Sequence, residues 1–358
     1  MRTDATDSID RGDLEALLVD IWKQLLSIEE NTIDTDFFAS GGHSLAAMLL
    51  IARIESSTGI SLPLAALVRH STPRALAAYC LARSETPHIE TSLDGTETQA
   101  EYLIAYNEPE RQTRRSEAYE VYYATAATSA AHAAFCDLVY GANFGQHGMA
   151  DVAQLDFLIA KMEIGAEDLV LDIGCGYGQI AEYIHDRTGA RIVGIDISSS
   201  AVARGNERAL SSGKPLRFIQ MDLQSLSLPE MKFSKTISID TIYFTNDLQK
   251  TLSSIRQHGT ETMRLGVFRT FPLRSFTDET WSPHISELGH NLRKLFGGYE
   301  AYDFSKEENA HWRKKVEILE SLRSESIKEG NENLFQFRYA EARYEAKIEQ
   351  RRYLFVTD

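Results

Sequence analysis

Near its start the chain places Leu14, Leu17, Leu18, Ile21, Trp22 and Leu25 at helical spacing, which stacks them on one face of an α-helix. An irregular stretch, SIEENTIDTDFFASGGH, leads to a second expected helix from Ser44 to about Ser57. Pro63 and Pro73 each stand near the start of a further short helix, where a missing N–H does little harm. From Ser84 to Ser116 the apolar rhythm fades into ETPHIETSLDGTETQ and NEPERQTRRSE, which is linker composition. Two helical segments follow, Tyr119 to Val139 and Ala150 to Met162. After them the strand-like runs LVLDIG, RIVGIDI, LRFIQMD, KTISIDTIYF and RLGVFRTF appear, the first few separated by helix-like segments. That alternation predicts a parallel sheet with helices on both faces. Beyond Asp303, KEENAHWRKKVEILESLRSESIKEG reads as a solvated cap or lid helix, its charges a wet face rather than a binding site.

Composition narrows the function. The 358 residues fit two or three domains, and a 43% hydrophobic share excludes a wholly disordered chain. A formal charge of -15 argues against gripping nucleic acid by its phosphates or anionic lipid by a polybasic anchor. No apolar run approaches the roughly 20 residues of a membrane helix, and the polar start MRTDATDSIDRGD is no signal peptide. Cytoplasmic residence is expected. Cys80, Cys136 and Cys175 stand too far apart for a metal or disulfide pattern, and no metal is expected.

The segment D36-F37-F38-A39-S40-G41-G42-H43-S44-L45 puts a serine at the first position of an amphipathic helix, after a two-glycine turn. From the residues alone Ser44 reads either as an N-cap or as a serine whose phosphate ester gains from the positive helix end. The stretch resembles the peptidyl and acyl carrier domains of nonribosomal peptide and polyketide assembly lines, over roughly residues 10–83. Ser40 stands where that family often has leucine. The resemblance implies an all-α, four-helix carrier domain whose Ser44 bears covalent 4′-phosphopantetheine.

A second motif, L169-V170-L171-D172-I173-G174-C175-G176-Y177-G178-Q179-I180, is a buried strand running through a glycine-rich turn into a helix. Such turns let a ligand approach the backbone. The dinucleotide fingerprint would need a third glycine at position 179, which is Gln179. Glycines at 174, 176 and 178 after Asp172 instead resemble the first motif of class I S-adenosylmethionine (SAM)-dependent methyltransferases. Asp196, Asp222 and Asp240 follow or lie in the next three strands in the order that family uses. The resemblance implies a Rossmann-like α/β domain with helical lid segments over residues 117–358. Asp172, Gly174, Gly176 and Gly178 would then cradle SAM. Asp196 with Ile197 would meet its ribose, and Asp222 with Leu223 its adenine.

Methyl transfer needs an aligned acceptor and a group to take one proton. His147, between glycines in G145-Q146-H147-G148, is a candidate base or a backbone-satisfied turn histidine. Asp240 and Tyr243, in SIDTIYF, are candidates beside the methyl donor. Tyr122 and Tyr123 read as core packing or as a lid over the donor pocket; Trp281, His284 and His290 are candidates for the substrate pocket.

The expected organisation is a carrier domain at 10–83, a linker at 84–116 and a methyltransferase domain at 117–358. The expected function is methylation of an acyl or aminoacyl group held as a thioester on the chain's own phosphopantetheine arm, in nonribosomal peptide or related natural-product biosynthesis. The partners implied are a phosphopantetheinyl transferase, an adenylation enzyme loading the carrier in trans, and downstream assembly-line enzymes. Two rivals remain: a SAM lyase or cyclase that transfers no methyl, and an inactive platform on which the carrier docks.

Overall fold

The computed structural model describes residues 10–26, 28, 31–37, 40, 50–51, 53–54, 57–60, 62, 66–67, 70–84, 122–123, 125–145, 148, 150–228, 231–272 and 282–358. The chain divides into two units, residues 1–118 and 119–358.

In the first unit, α1 (Arg11–Leu26) turns Leu14, Leu18, Ile21 and Trp22 inward, as its spacing predicts. A second helix, α2 (Pro73–Ser84), begins at Pro73. Thr72 caps it, its Oγ1 accepting from the Ala75 N–H at 3.2 Å. Between them, residues 50–51, 53–54, 57–58 and 66–67 are helical. Their side chains close one apolar core, in which Leu50, Ile54 and Leu67 join Trp22, Phe37, Leu76 and Cys80. The Phe37 N–H donates to the Ser71 carbonyl at 2.7 Å, which ties the DFF segment to the start of α2. Ser44 and Pro63 lie outside the described residues, as does the expected linker except at its first residue.

The second unit opens with α3 (Ala130–Tyr140) and α4 (Val152–Met162). The single helix expected from Tyr119 to Val139 is interrupted, because Ser129 adopts extended backbone and caps α3 through the His132 N–H. The alternating part runs β1 (Leu169–Ile173), α5 (Gln179–Thr188), β2 (Arg191–Asp196), α6 (Ser199–Ser212), β3 (Leu216–Gln220), β4 (Phe233–Ile239), α7 (Leu248–Gln257) and β5 (Gly259–Pro272). It continues with α8 (Glu287–Phe296), β6 (Tyr299–Asp303), α9 (Ser305–Ser321), α10 (Arg323–Lys328), α11 (Glu332–Glu345) and β7 (Gln350–Thr357).

The described strands form one seven-stranded sheet in the order β3-β2-β1-β4-β5-β7-β6. The first five are parallel, as their alternation with helices predicts, whereas β7 is antiparallel to both β5 and β6. Leu158 and Met162 of α4, Ile184 of α5 and Val202 of α6 pack on one face. Leu252 of α7 and Leu292 of α8 pack on the other. The chain direction across the sheet reverses between β1 and β4, so their carboxyl ends open a crevice where open α/β sheets bind ligands.

Two expectations need correction. The run IDTIYF is not continuous strand: Asp240 takes φ +53 and ends β4, and Ile242–Phe244 form a 3-10 turn. The charged helix α9 is not merely solvated. Glu308, Trp312, Lys315 and Leu319 recur at i, i+4, i+7 and i+11 and are all buried, against α3 and α11 on one side and Arg352 of β7 on the other.

Trp22 is fully buried, with its ring edge-on to Phe37 at 5.1 Å. Trp22→Ala should cost the first unit about 3–5 kcal/mol. Amide NMR signals of residues 10–84 should then lose dispersion at a lower urea concentration, with the second unit's signals unmoved. An unchanged transition would show that this core does not hold the unit together.

Candidate functional site

The site is built at the carboxyl ends of β3, β2, β1 and β4, which are neighbours in the sheet. The turn after β1 folds over β2, where the Gly174 and Cys175 N–H groups both donate to the Ile195 carbonyl, at 2.8 and 3.0 Å. Gly174 has φ +76, and a Cβ there would stand 2.3 Å from the Thr241 side chain. Gly178 has φ +75, and a Cβ there would stand 2.2 Å from the Phe218 ring. Glycine is required at both positions by backbone conformation and by space.

Asp196 locks the turn. Its Oδ2 accepts from the Gly176 N–H at 2.8 Å and its Oδ1 from the Ser198 N–H at 2.9 Å. Each carboxylate oxygen has a further lone pair for a hydroxyl donor. Ile197, next in the chain, accepts from Gln220 through its carbonyl at 3.3 Å. Asp222 caps the short turn that contains Leu223, with its Oδ1 accepting from the Gln224 N–H at 2.9 Å.

Asp172 is the odd member. It is 3% exposed, and its Oδ2 has no hydrogen-bond partner among the described residues. Burial, with the negative charge of Asp196 adding to it, pushes its carboxyl up to about 7. Such an orphaned acceptor beneath a glycine turn suits a ligand that brings its own N–H donors.

Beside the turn, a Cβ on Gly176 would lie 2.7 Å from the Tyr123 hydroxyl, and the Tyr123 and Tyr177 rings stand 4.8 Å apart. The Tyr177 hydroxyl donates to the Tyr123 carbonyl. Tyr122 turns away into the core, with its hydroxyl 3.3 Å from His132 Nε2. Only Tyr123 of this pair therefore lines the turn.

On the β4 side, Asp240 is gripped by a guanidinium from β7. Arg352 donates from Nη1 to Oδ1 at 2.6 Å and from Nη2 to Oδ2 at 3.0 Å. The same Nη1 donates to Thr270 Oγ1 at 2.7 Å, and Nε donates to Gln154 Oε1 at 2.9 Å. Asp240 is thus anchored as one end of a buried ion pair. Tyr243 is half-exposed at 36%, and the Arg269 guanidinium lies 4.6 Å above its ring.

His147 and Trp281 lie outside the described residues. His284 and His290 are exposed, and His284 stacks on Tyr299 rather than facing the turn. No group of three or more metal-binding side chains occurs among the described residues. No described helix is long and apolar enough to cross a membrane. Sequence reasoning missed Arg352, Gln154, Glu308 and Lys315. Two signals were available: an arginine on the inward face of the QRRYLFVT run, and the helical spacing of Glu308 and Lys315 with Trp312 and Leu319.

Comparison with known proteins accounts for both units. The family described as "Phosphopantetheine attachment site" matches residues 16–80, and the family described as "Methyltransferase domain" matches residues 170–260. The chain joins a phosphopantetheine carrier domain to a methyltransferase domain. The carrier domain is 50% identical over 66 residues to surfactin synthase subunit 2 of Bacillus subtilis (strain 168). It is 41% identical over 75 residues to tyrocidine synthase 3 of Brevibacillus parabrevis. These stretches are 18% and 21% of this chain but 2% and 1% of those synthases. The methyltransferase domain shares its fold with phosphoethanolamine N-methyltransferase 2 of Haemonchus contortus. The complex of that enzyme with phosphomonomethylethanolamine and S-adenosylhomocysteine superposes at TM-score 0.54, with 14% identity over 63% of this chain and 57% of that one. Its S-adenosyl-L-methionine complex superposes at TM-score 0.52 with 15% identity, over 63% of this chain and 56% of that one.

The buried Asp172 carboxyl gives a pH signature. Because folding raises its pKa, it contributes stability that is fully present below the ordinary carboxyl range and lost as pH rises through about 7. Asp172→Asn should therefore gain on the wild-type protein between pH 5 and pH 8, by roughly 1–4 kcal/mol at the upper end. Thermal unfolding of both proteins across that range checks it. A difference that stays constant with pH would place the ionised carboxylate in the folded state.

Proposed function

We propose that the methyltransferase domain methylates an acyl or aminoacyl group carried as a thioester on the phosphopantetheine arm of Ser44. The observation that carries this reading is the pairing, in one chain, of a carrier domain with a glycine turn and acidic row that fit SAM. The fit rests on the orphaned Asp172 Oδ2 and on a turn whose glycines leave no room for side chains.

SAM supplies an electrophilic methyl carbon on a positively charged sulfur. Asp196 accepts from the ribose hydroxyls, Asp222 with Leu223 meets the adenine, and Asp172 accepts from the amino-acid ammonium. Asp240 and Tyr243 stand on the acceptor side, where Arg352 holds Asp240 in place. His147 is the further candidate for taking the acceptor's proton.

A phosphopantetheinyl transferase installs the arm, an adenylation enzyme loads it in trans, and downstream assembly-line enzymes unload it. Tethering supplies substrate at a millimolar effective concentration for a short flexible link, so the pocket need not bind the acyl group tightly.

Incubation with a broad-specificity phosphopantetheinyl transferase and an acyl-coenzyme A should add one acylated arm, and SAM should then add the mass of one methyl. Intact-protein mass spectrometry reads both steps. Ser44→Ala protein should gain neither mass, and an arm on that variant would move the attachment site elsewhere.

Asp196→Ala should weaken SAM binding by roughly tenfold or more, since buried donors left unpaired cost about 1–3 kcal/mol. The loss includes the loop contacts that Asp196 makes to Gly176 and Ser198. Unchanged affinity in a calorimetric titration would reject this placement of the ribose.

A further inference from the structure

The inward face of α9 carries polar atoms that the fold leaves unsatisfied. Glu308 is 0% exposed, and neither of its carboxylate oxygens receives a hydrogen bond from any described residue. Arg352 Nε lies 3.7 Å from Glu308 Oε2, within ion-pair reach but too long for a hydrogen bond. Gln154, 1% exposed, accepts from the same Nε through Oε1 and leaves its Nε2 without an acceptor among the described residues. One guanidinium therefore gathers Gln154 and Glu308 at its Nε edge and Asp240 at its other edge. Asp240 ends β4, so the guanidinium links these groups to the end of β4, on the proposed acceptor side.

Native folds seldom leave a buried carboxylate without donors, and such a group marks an absent partner. The chemistry asked for is specific: N–H donors for Glu308 and an acceptor for the Gln154 amide. Charge narrows it further. Arg352, Lys315, Arg338 and Arg269 stand against Asp240, Glu308, Glu341 and Asp151, four cations and four anions, and burial already lowers Lys315 to about 8. An additional cation would be uncompensated here, whereas a neutral amine is not penalised.

We propose that Glu308 and Gln154 form a subsite for an α-aminoacyl thioester, Glu308 accepting from its amine and Gln154 donating to its carbonyl oxygen. This rests on the tethered-methylation reading and narrows it to an aminoacyl substrate methylated at nitrogen. The neutral amine is also the nucleophilic form. Its lone pair forms the N–C bond to the methyl carbon as the C–S bond breaks with its pair left on sulfur. The surplus proton on nitrogen passes to a Glu308 oxygen, and S-adenosylhomocysteine departs neutral. Burial raises the Glu308 carboxyl, most of it by desolvation, which suits a proton acceptor.

The test begins with binding, which needs no turnover. Glycyl, alanyl and valyl groups, joined through an amide to the analogue of pantetheine with an amine in place of its thiol, are compared with their desamino counterparts, by calorimetry on the full chain saturated with S-adenosylhomocysteine. The aminoacyl compounds should bind about tenfold more tightly or better, and Glu308→Gln should erase most of that preference. Equal affinities in the wild-type protein overturn the proposal without reliance on any variant. The chain is then loaded from aminoacyl- and acyl-coenzyme A and given SAM. Methyl on the nitrogen of the aminoacyl group supports the subsite, and equal methylation of the desamino group at carbon overturns it. Methylation of neither group refutes the tethered-methylation reading itself, and the binding comparison then decides the subsite alone.

Discussion

A guanidinium buried at 0% exposure organises the part of the methyltransferase domain around the end of β4. Arg352 meets Asp240 after β4, Thr270 in β5, Gln154 in α4 and Glu308 in α9, so four elements share one charge. Removing one member of such a buried set strands the others and costs about 3–5 kcal/mol, a large part of the 5–15 kcal/mol that holds a domain folded. The arrangement is expensive, and well-packed apolar side chains would stabilise the same space as well or better. What it provides instead is a set of fixed polar atoms at the end of β4, which an apolar repacking would not supply.

The other half of the site works by different physics. The glycine turn supplies shape: Thr241 and Phe218 press against Gly174 and Gly178 so closely that no side chain fits. Asp196 and Asp222 there accept from backbone N–H groups. Asp172 alone is left short of donors and is driven toward its neutral form. The turn is thus shaped by backbone geometry, and the end of β4 by a buried ion network.

This difference decides what could be read from the residues. Backbone geometry leaves a local trace, because glycines at 174, 176 and 178 and an aspartate after each strand occur in consecutive segments. The carrier core is local in the same way, with one helix face from Leu14 to Trp22 and a proline opening α2. The ion network is not local. Arg352 lies 112 positions from Asp240 and 198 from Gln154, and no short window shows that they meet. Glu308 and Lys315 look like two more charges in a charged run, yet their spacing with Trp312 and Leu319 is that of a buried stripe. Period outweighs polarity there, because each charge finds buried company. The broken helix near Ser129 and the end of β4 at Asp240 were hidden for another reason: each depends on the backbone angles of a single residue.

The position of β7 ties the completion of the sheet to that of the ion network. It is the last strand in the chain, yet it sits between β5 and β6 and carries the arginine that neutralises Asp240 and approaches Glu308. The five parallel strands pair with one another, whereas β6 pairs with β7 alone among the described strands. Without β7, Asp240 and Glu308 would lose the Arg352 guanidinium and β6 its pairing to the rest of the sheet. The same strand places Leu354, Phe355 and Val356 in the two apolar cores, so one segment closes the ion network and the hydrophobic layers together.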